Sequence, residues 1–229
     1  MSEADAKRIP LTRIQKLISQ RMLESKQTQP CFYLTAKADI GKISEMRRPL
    51  SKQLGTRISM NDFFIRAMGV AVEKSPLMAG SFKDDYIEIA ETVNVGLAVA
   101  APKGLVVPVV KNANKKKLSE IAKVTAELIE KAKINKLSLD DLSGGCITLT
   151  ALGMFGIDSF LAIPLPGQCS ILSVGKIIER PVPNQGNTEI KKFVEFGLSA
   201  DNRIVSGDYV AKFLAEIINL AENPKKLID

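Results

Sequence analysis

Apolar positions recur along the chain with two periods, and those periods lay out its elements. Ile14, Leu17, Ile18 and Met22 stand three to four residues apart and predict a helix. Thr12 and Gln15 form a capping box at its start, and Pro30 requires it to end near Gln27. Phe32 to Ala38 reads as a strand. Asp39 is placed to cap a second helix, with Ile40, Ile43, Leu50 and Leu54 on one face. Asn61 is placed to cap a third, with Phe64, Ala67, Met68, Ala71 and Val72 inward and Pro76 as its stop.

The period then changes. Val93, Val95, Leu97 and Val99 alternate, Pro102-Lys103-Gly104 is a turn, and Leu105 to Val110 returns, so the pair predicts a hairpin. Pro108 inside the return strand implies an edge or a bulge. Leu118 to Lys133 has a helical face of Ile121, Thr125, Leu128, Ile129 and Ala132, and Ser138 to Leu142 fits one helical turn. Gly144-Gly145 breaks the chain before a strand from Cys146 to Thr150. Further strands are expected over Ser170 to Val174 and Phe193 to Ser199. A last helix starts near Asp208, carries Val210, Ala211, Phe213, Leu214, Ile217 and Ile218, and stops at Pro224. Helices and strands alternate without a strict βαβ rhythm, repeat or low-complexity linker. The economical reading is one α+β domain with a mixed sheet.

Composition narrows the function. Hydrophobic residues make up 45% of the 229 residues, enough for a sizeable core, and aromatic residues only 5%, so that core is mainly aliphatic. The net charge of +7 suits an anionic partner, and equally a solvated lysine surface. No nucleic-acid-binding motif accompanies it, and no apolar run is as long as a membrane span. Cys31, Cys146 and Cys169 form no CxxC pair, and with no histidine in the chain they make no zinc site. The odd count implies a reducing compartment, and Cys146 and Cys169, set in apolar runs, read as buried packing residues. Met1 to Arg8 is polar, lacks signal-peptide character and reads as a linker remnant ahead of a domain over residues 9–229.

Four segments carry a further pattern. The first runs from Ile9-Pro10-Leu11-Thr12-Arg13-Ile14 through Gln20-Arg21-Met22 and Ser25-Lys26-Gln27-Thr28 to Pro30-Cys31-Phe32-Tyr33-Leu34. The second is Val93 to Val99 with Gly104 to Val109, and the third Gly144-Gly145 to Thr150 with Leu152-Gly153-Met154-Phe155-Gly156. The fourth is Ala200-Asp201-Asn202-Arg203-Ile204-Val205-Ser206-Gly207. In this order and spacing they resemble the acyltransferase core of the 2-oxoacid dehydrogenase complexes, nearest its pyruvate type. There the fourth segment reads Asp-His-Arg-x-x-Asp-Gly, and the first ends Pro-His-Phe-Tyr-Leu. Asn202 therefore stands at the base position, Ser206 at the supporting Asp and Cys31 at a second histidine. Ala151 replaces an Asn, and Pro164-Leu165-Pro166-Gly167 an Asn-Pro-Pro stretch.

The resemblance implies a chloramphenicol-acetyltransferase-like α/β sandwich, built as a trimer and joined into a cubic or icosahedral particle. It implies acetyl transfer between dihydrolipoyl-lysine and coenzyme A, both as substrates and without a metal. Thr150 would donate to the oxyanion, across a subunit boundary from residue 202. Lipoyl domains and the decarboxylase and dihydrolipoyl dehydrogenase components are the implied partners, in bacterial cytoplasm or mitochondrial matrix. The C-terminal Leu227 and Ile228 would insert into a facing trimer, or else form a frayed end. Two readings remain open: an acyltransferase of impaired activity, and a catalytically silent core subunit. Cys31 is a candidate nucleophile or a small strand-entry residue. Lys115-Lys116-Lys117 could attract the phosphates of coenzyme A or acidic partner domains, or form a solvated loop.

Overall fold

The computed structural model describes residues 8–102, 104–184 and 186–228. Most of the linker remnant (residues 1–7) and Lys103 of the predicted turn lie outside them. The first helix, α1 (Arg13–Thr28), starts at its expected capping box: Gln15 N–H donates to Thr12 Oγ1 at 3.2 Å, and Thr12 N–H to Gln15 Oε1 at 2.9 Å. The strand β1 (Cys31–Asp39) follows.

Two expected caps are displaced. Asp39 ends β1, and the N-cap of α2 (Gly41–Gln53) falls on Ile40, although Asp39 Oδ1 still accepts from Gly41 N–H at 2.9 Å. Helix α3 (Met60–Lys74) is capped by Ser59, not Asn61. Ser59 pairs reciprocally with Asp62: Ser59 N–H donates to Asp62 Oδ2 at 2.6 Å, and Asp62 N–H to Ser59 Oγ at 3.3 Å. Leu54, expected inside, is the exposed C-cap of α2.

After α3 come two short strands, β2 (Gly80–Phe82) and β3 (Ile87–Ile89), which the alternation pattern missed. Next are β4 (Val95–Leu97), β5 (Val99–Ala101), β6 (Gly104–Val106) and β7 (Val109–Val110). Val95 opposes Val110 and Val99 opposes Val106, so these four pieces are the predicted hairpin in one register. Its ladder is interrupted beside Pro108, where Ala98 N–H turns to Leu149 O at 2.8 Å. Helix α4 (Leu118–Lys133) has the predicted bounds. The chain continues through β8 (Ile147–Ala151), β9 (Ser170–Val174), β10 (Ile178–Asn184), β11 (Asn187–Asp201) and α5 (Gly207–Glu222).

The main sheet has the order β1-β11-β9-β8-β4-β7, with β10 paired to the first half of β11. It is mixed: β8 runs parallel to β4 and β9, and the other pairs are antiparallel. Strand β10 contains Pro181 and Pro183, which an edge strand tolerates because its outer N–H row needs no partner.

One face of the sheet is the core. Leu149, Leu172 and Leu198 lie side by side on β8, β9 and β11 and are fully buried. Phe196 meets Phe64 of α3 edge-on, with ring centroids 5.1 Å apart. The alternate residues form the second face, where Thr150 on β8 is level with Ser173 on β9 and Gly197 on β11.

The segment after β8 is tied across this second face. Ser173 Oγ donates to Phe160 O and to Gly197 O, and Lys176 N–H donates to Ile157 O at 2.8 Å. A Cβ on Gly197 would lie 2.5 Å from Phe160 O, so a residue without a side chain lets the crossing approach this closely. Helix α1 is tied there at its C-terminal end: Ser25 Oγ donates to Pro164 O at 2.7 Å, and Gln29 Nε2 to Gln168 O at 3.0 Å. Along its apolar stripe Ile14 and Leu17 are exposed, and Ile18 and Met22 are half-buried.

Candidate functional site

The turn from Asp201 to Gly207 links the end of β11 to the start of α5. Asp201 is wholly buried. Its carboxylate accepts from Arg203 through Nη2 at 2.6 Å, Nε at 3.0 Å and the backbone N–H at 3.0 Å. Its carbonyl accepts from Ile204 and Val205 N–H, which closes the turn. Asn202, between the two charged residues, has an exposed side chain and a backbone N–H held by Pro30 O at 2.9 Å.

Ser206 is the N-cap of α5, but its hydroxyl makes no cap bond. It donates to Asp208 Oδ1 at 2.5 Å. This hydrogen bond, with Lys212 Nζ 3.2 Å from the other oxygen, holds the Asp208 carboxyl below its ordinary pKa. A carboxylate thus remains at the turn, two residues further along. Phe32 packs against Gly207, where a Cβ would stand 3.0 Å from the ring.

Thr150 is half-buried on β8, and one chain does not bring it to Asn202. Thr150 is level with Gly197, and Asn202 lies five residues beyond. At about 3.4 Å per residue and about 4.8 Å per strand, that separation is roughly 20 Å. Lys115 to Lys117 follow β7, the far edge of the sheet from β1 and β11, and are likewise remote from the turn.

Cys31 does reach the turn. It is half-buried and directly opposite Asp201 on the neighbouring strand. Burial, and then the Asp201 charge, push its thiol above the ordinary pKa, which favours the strand-entry reading over the nucleophile. Cys169 on the other side of Asp201 is buried, with its pKa pushed up to about 12 by burial.

At the tail, Leu227 ends a 3-10 turn (Pro224–Leu227) and is fully buried within its own chain, beside α3 and α5. Ile228 is half-buried against the same core. Among the described residues no cluster of metal-ligating side chains occurs, and no helix is long and apolar enough to cross a membrane.

Sequence reasoning missed one residue of this neighbourhood. Phe82, at the end of β2, lies under the Arg203 guanidinium, whose carbon is 4.3 Å from the ring centroid. No local signal marks it, because β2 is three residues long and its partner β3 is exposed.

The mixed sheet and the strand-to-helix turn at its end define an α/β sandwich. The chain belongs to the 2-oxoacid dehydrogenase acyltransferase family, whose catalytic-domain model matches residues 3–228. It is 39% identical over 224 residues to the dihydrolipoyllysine-residue acetyltransferase component of the pyruvate dehydrogenase complex from Rickettsia felis, covering 96% of this chain and 54% of that protein. The chain thus spans about half the length of the curated relatives it matches.

Among solved structures, a probable dihydrolipoamide acetyltransferase from Listeria monocytogenes aligns with a TM-score of 0.91 at 32% identity, covering 96% of each chain. Two more align at 0.91 with 25% identity, over 99% of this chain and 98% of theirs. They are the Azotobacter vinelandii dihydrolipoamide acetyltransferase, investigated for the catalytic roles of a serine, a histidine and an asparagine, and the cubic core of a pyruvate dehydrogenase multienzyme complex. Chloramphenicol acetyltransferase shares the fold, with a TM-score of 0.52 at 13% identity over 88% of this chain and 94% of that one.

Proposed function

We propose that this chain forms the core of a pyruvate dehydrogenase-type complex and transfers acetyl between dihydrolipoyl-lysine and coenzyme A at a site shared by two subunits. The observation that carries the shared site is the separation of Thr150 from Asn202 within one chain. Exposed apolar residues on α1 support association, since Leu17 and Leu23 are more than half exposed. The serine, histidine and asparagine studied in the A. vinelandii enzyme are spaced along its chain as Thr150, Asn202 and Ser206 are here, which supports their alignment. A trimer joined into a larger hollow core is the assembly proposed, with lipoyl domains and the decarboxylase and dihydrolipoyl dehydrogenase components as partners. The compartment proposed is bacterial cytoplasm or mitochondrial matrix, and the free thiols fit it.

In the reaction, the thiol sulfur of one substrate attacks the thioester carbonyl of the other. A tetrahedral oxyanion forms, which the Thr150 hydroxyl stabilises by donating a hydrogen bond. The intermediate collapses, the second sulfur leaves, and it takes up the proton that the first gave. A thiol with a pKa of about 8.5 is little ionised at neutral pH, so a base aids the attack. Asn202 carries an amide, which positions a thiol by hydrogen bonding but does not accept its proton. Turnover is therefore slower by about 10² to 10⁴ than with a histidine there.

That deficit favours a second reading, a silent core subunit that organises active partners. The test is acetyl transfer from acetyl-CoA to dihydrolipoamide by the unmodified chain and by an Asn202→His/Ser206→Asp double variant. A rise of about 10² or more in the double variant supports the transferase reading. Equal turnover in both overturns the assignment of residue 202. No turnover in either, with particles intact by light scattering, favours the scaffold.

A further inference from the structure

We infer that Phe82 is a positioning residue for the Asn202 turn: its ring backs the Arg203 guanidinium and holds it in the fork accepted by Asp201. The inference deepens the proposed function and rests on its reading of residue 202.

Both partners of Arg203 are anchored to one residue. Cys169 N–H donates to Gly80 O at 2.9 Å, which docks the β2–β3 hairpin on the end of β9. Cys169 O accepts from Asp201 N–H at 2.8 Å, which docks the end of β11 on the same residue. Ser170 Oγ adds a bond to Met78 O at 3.0 Å, just before β2. These hydrogen bonds hold the backbone of β2 beside the end of β11.

Arg203 fills that gap. One edge of its guanidinium bonds to Asp201 and one face meets the Phe82 ring at 4.3 Å. The Arg203 side chain is 31% exposed, so water competes for its nitrogens, and the ring shields the face that Asp201 does not reach. Asn202 sits between Asp201 and Arg203. With both neighbours fixed and its own N–H on Pro30 O, the backbone from which its side chain springs is held in place.

The test compares Phe82→Leu, which keeps apolar bulk without a π-face, with Phe82→Tyr, which keeps the face. Each is made in the assembled protein with and without the Asn202→His/Ser206→Asp changes. The first readout is labelling of Arg203 by phenylglyoxal, located by peptide mass spectrometry. The second is kcat and KM for acetyl transfer to dihydrolipoamide in the restored background. With Leu, labelling should rise and kcat fall by about threefold or more, KM should stay unchanged, and Tyr should return both to the starting values. Unchanged Arg203 labelling in the Leu variant, or equal behaviour of Leu and Tyr, overturns the inference. So does increased labelling with an unaltered kcat in an active background. If the restored background is inactive, the proposed role of residue 202 fails by itself, and the Leu–Tyr contrast in labelling still decides whether Phe82 holds the clamp.

Discussion

Asp201 and Arg203, two residues apart, form a forked ion pair in which the carboxylate is wholly buried and the guanidinium reaches the surface. The pair turns β11 into α5 without a glycine at residues 201–206. Removing the arginine side chain leaves a buried carboxylate with one backbone donor, the N–H of residue 203. Arg203→Ala should cost about 2 to 4 kcal/mol, the lower end of the cost of breaking a buried pair because Arg203 is partly solvated. Denaturant unfolding of the assembled protein measures it, and a change below about 1 kcal/mol would assign the pair to the weak surface class.

The tail separates into two residues with different duties. Leu227→Ala should lower the stability of the subunit by about 2 to 5 kcal/mol, because a fully buried leucine leaves a cavity. Ile228→Ala should cost less stability and instead alter particle size, if the half-buried Ile228 is the tail's contribution to assembly. Thermal unfolding and light scattering on the two variants separate these effects.

Asp62 gives a pH signature. It is buried between α3 and α4 and accepts from Thr125 Oγ1 at 2.6 Å and from Ser59. Burial raises its pKa more than these bonds lower it. The folded state therefore favours the protonated acid. Its contribution is fully present below the unfolded pKa of about 3.9 and is lost as pH rises through the folded value. Asp62→Asn keeps a hydrogen-bonding amide and removes the titration. Measured by denaturant unfolding from pH 4 upward, the Asn variant should gain on the original chain as pH rises. Parallel profiles would contradict the raised pKa.

The thiols should react in order of exposure. Cys31 is half-buried with a raised pKa, Cys146 and Cys169 are buried, and Cys169 has a pKa of about 12. In native protein at pH 7.5, iodoacetamide should modify Cys31 slowly and leave Cys169 intact until unfolding, since the thiolate is the nucleophile. Early alkylation of Cys169, read by peptide mass spectrometry, would count against the packing around it.

Much of the fold is legible locally. Helix α4 spans Leu118–Lys133 and β9 spans Ser170–Val174 as expected, because each has one apolar period and clear boundaries. Strand β11 runs six residues earlier than Phe193 and reaches Asp201, since its first half pairs only with β10 and is solvated on both faces, so no alternation marks it. Of the candidate site, the turn was readable as a contiguous motif, and Phe82 was not.

The sequence by itself determined the helices and the buried strands of the main sheet, the mixed-sheet class and the family, because periodicity and a short motif are written in neighbouring residues. It also determined that residue 202 is an amide and that the chain offers no imidazole. Only the tertiary structure decided what depends on register between distant strands. It set Thr150 about 20 Å from Asn202 by strand spacing, turned Leu227 into its own core and slid Phe82 beneath Arg203. Those relationships arise from which strand pairs with which, and burial and hydrogen bonding summed over the whole domain select that pairing.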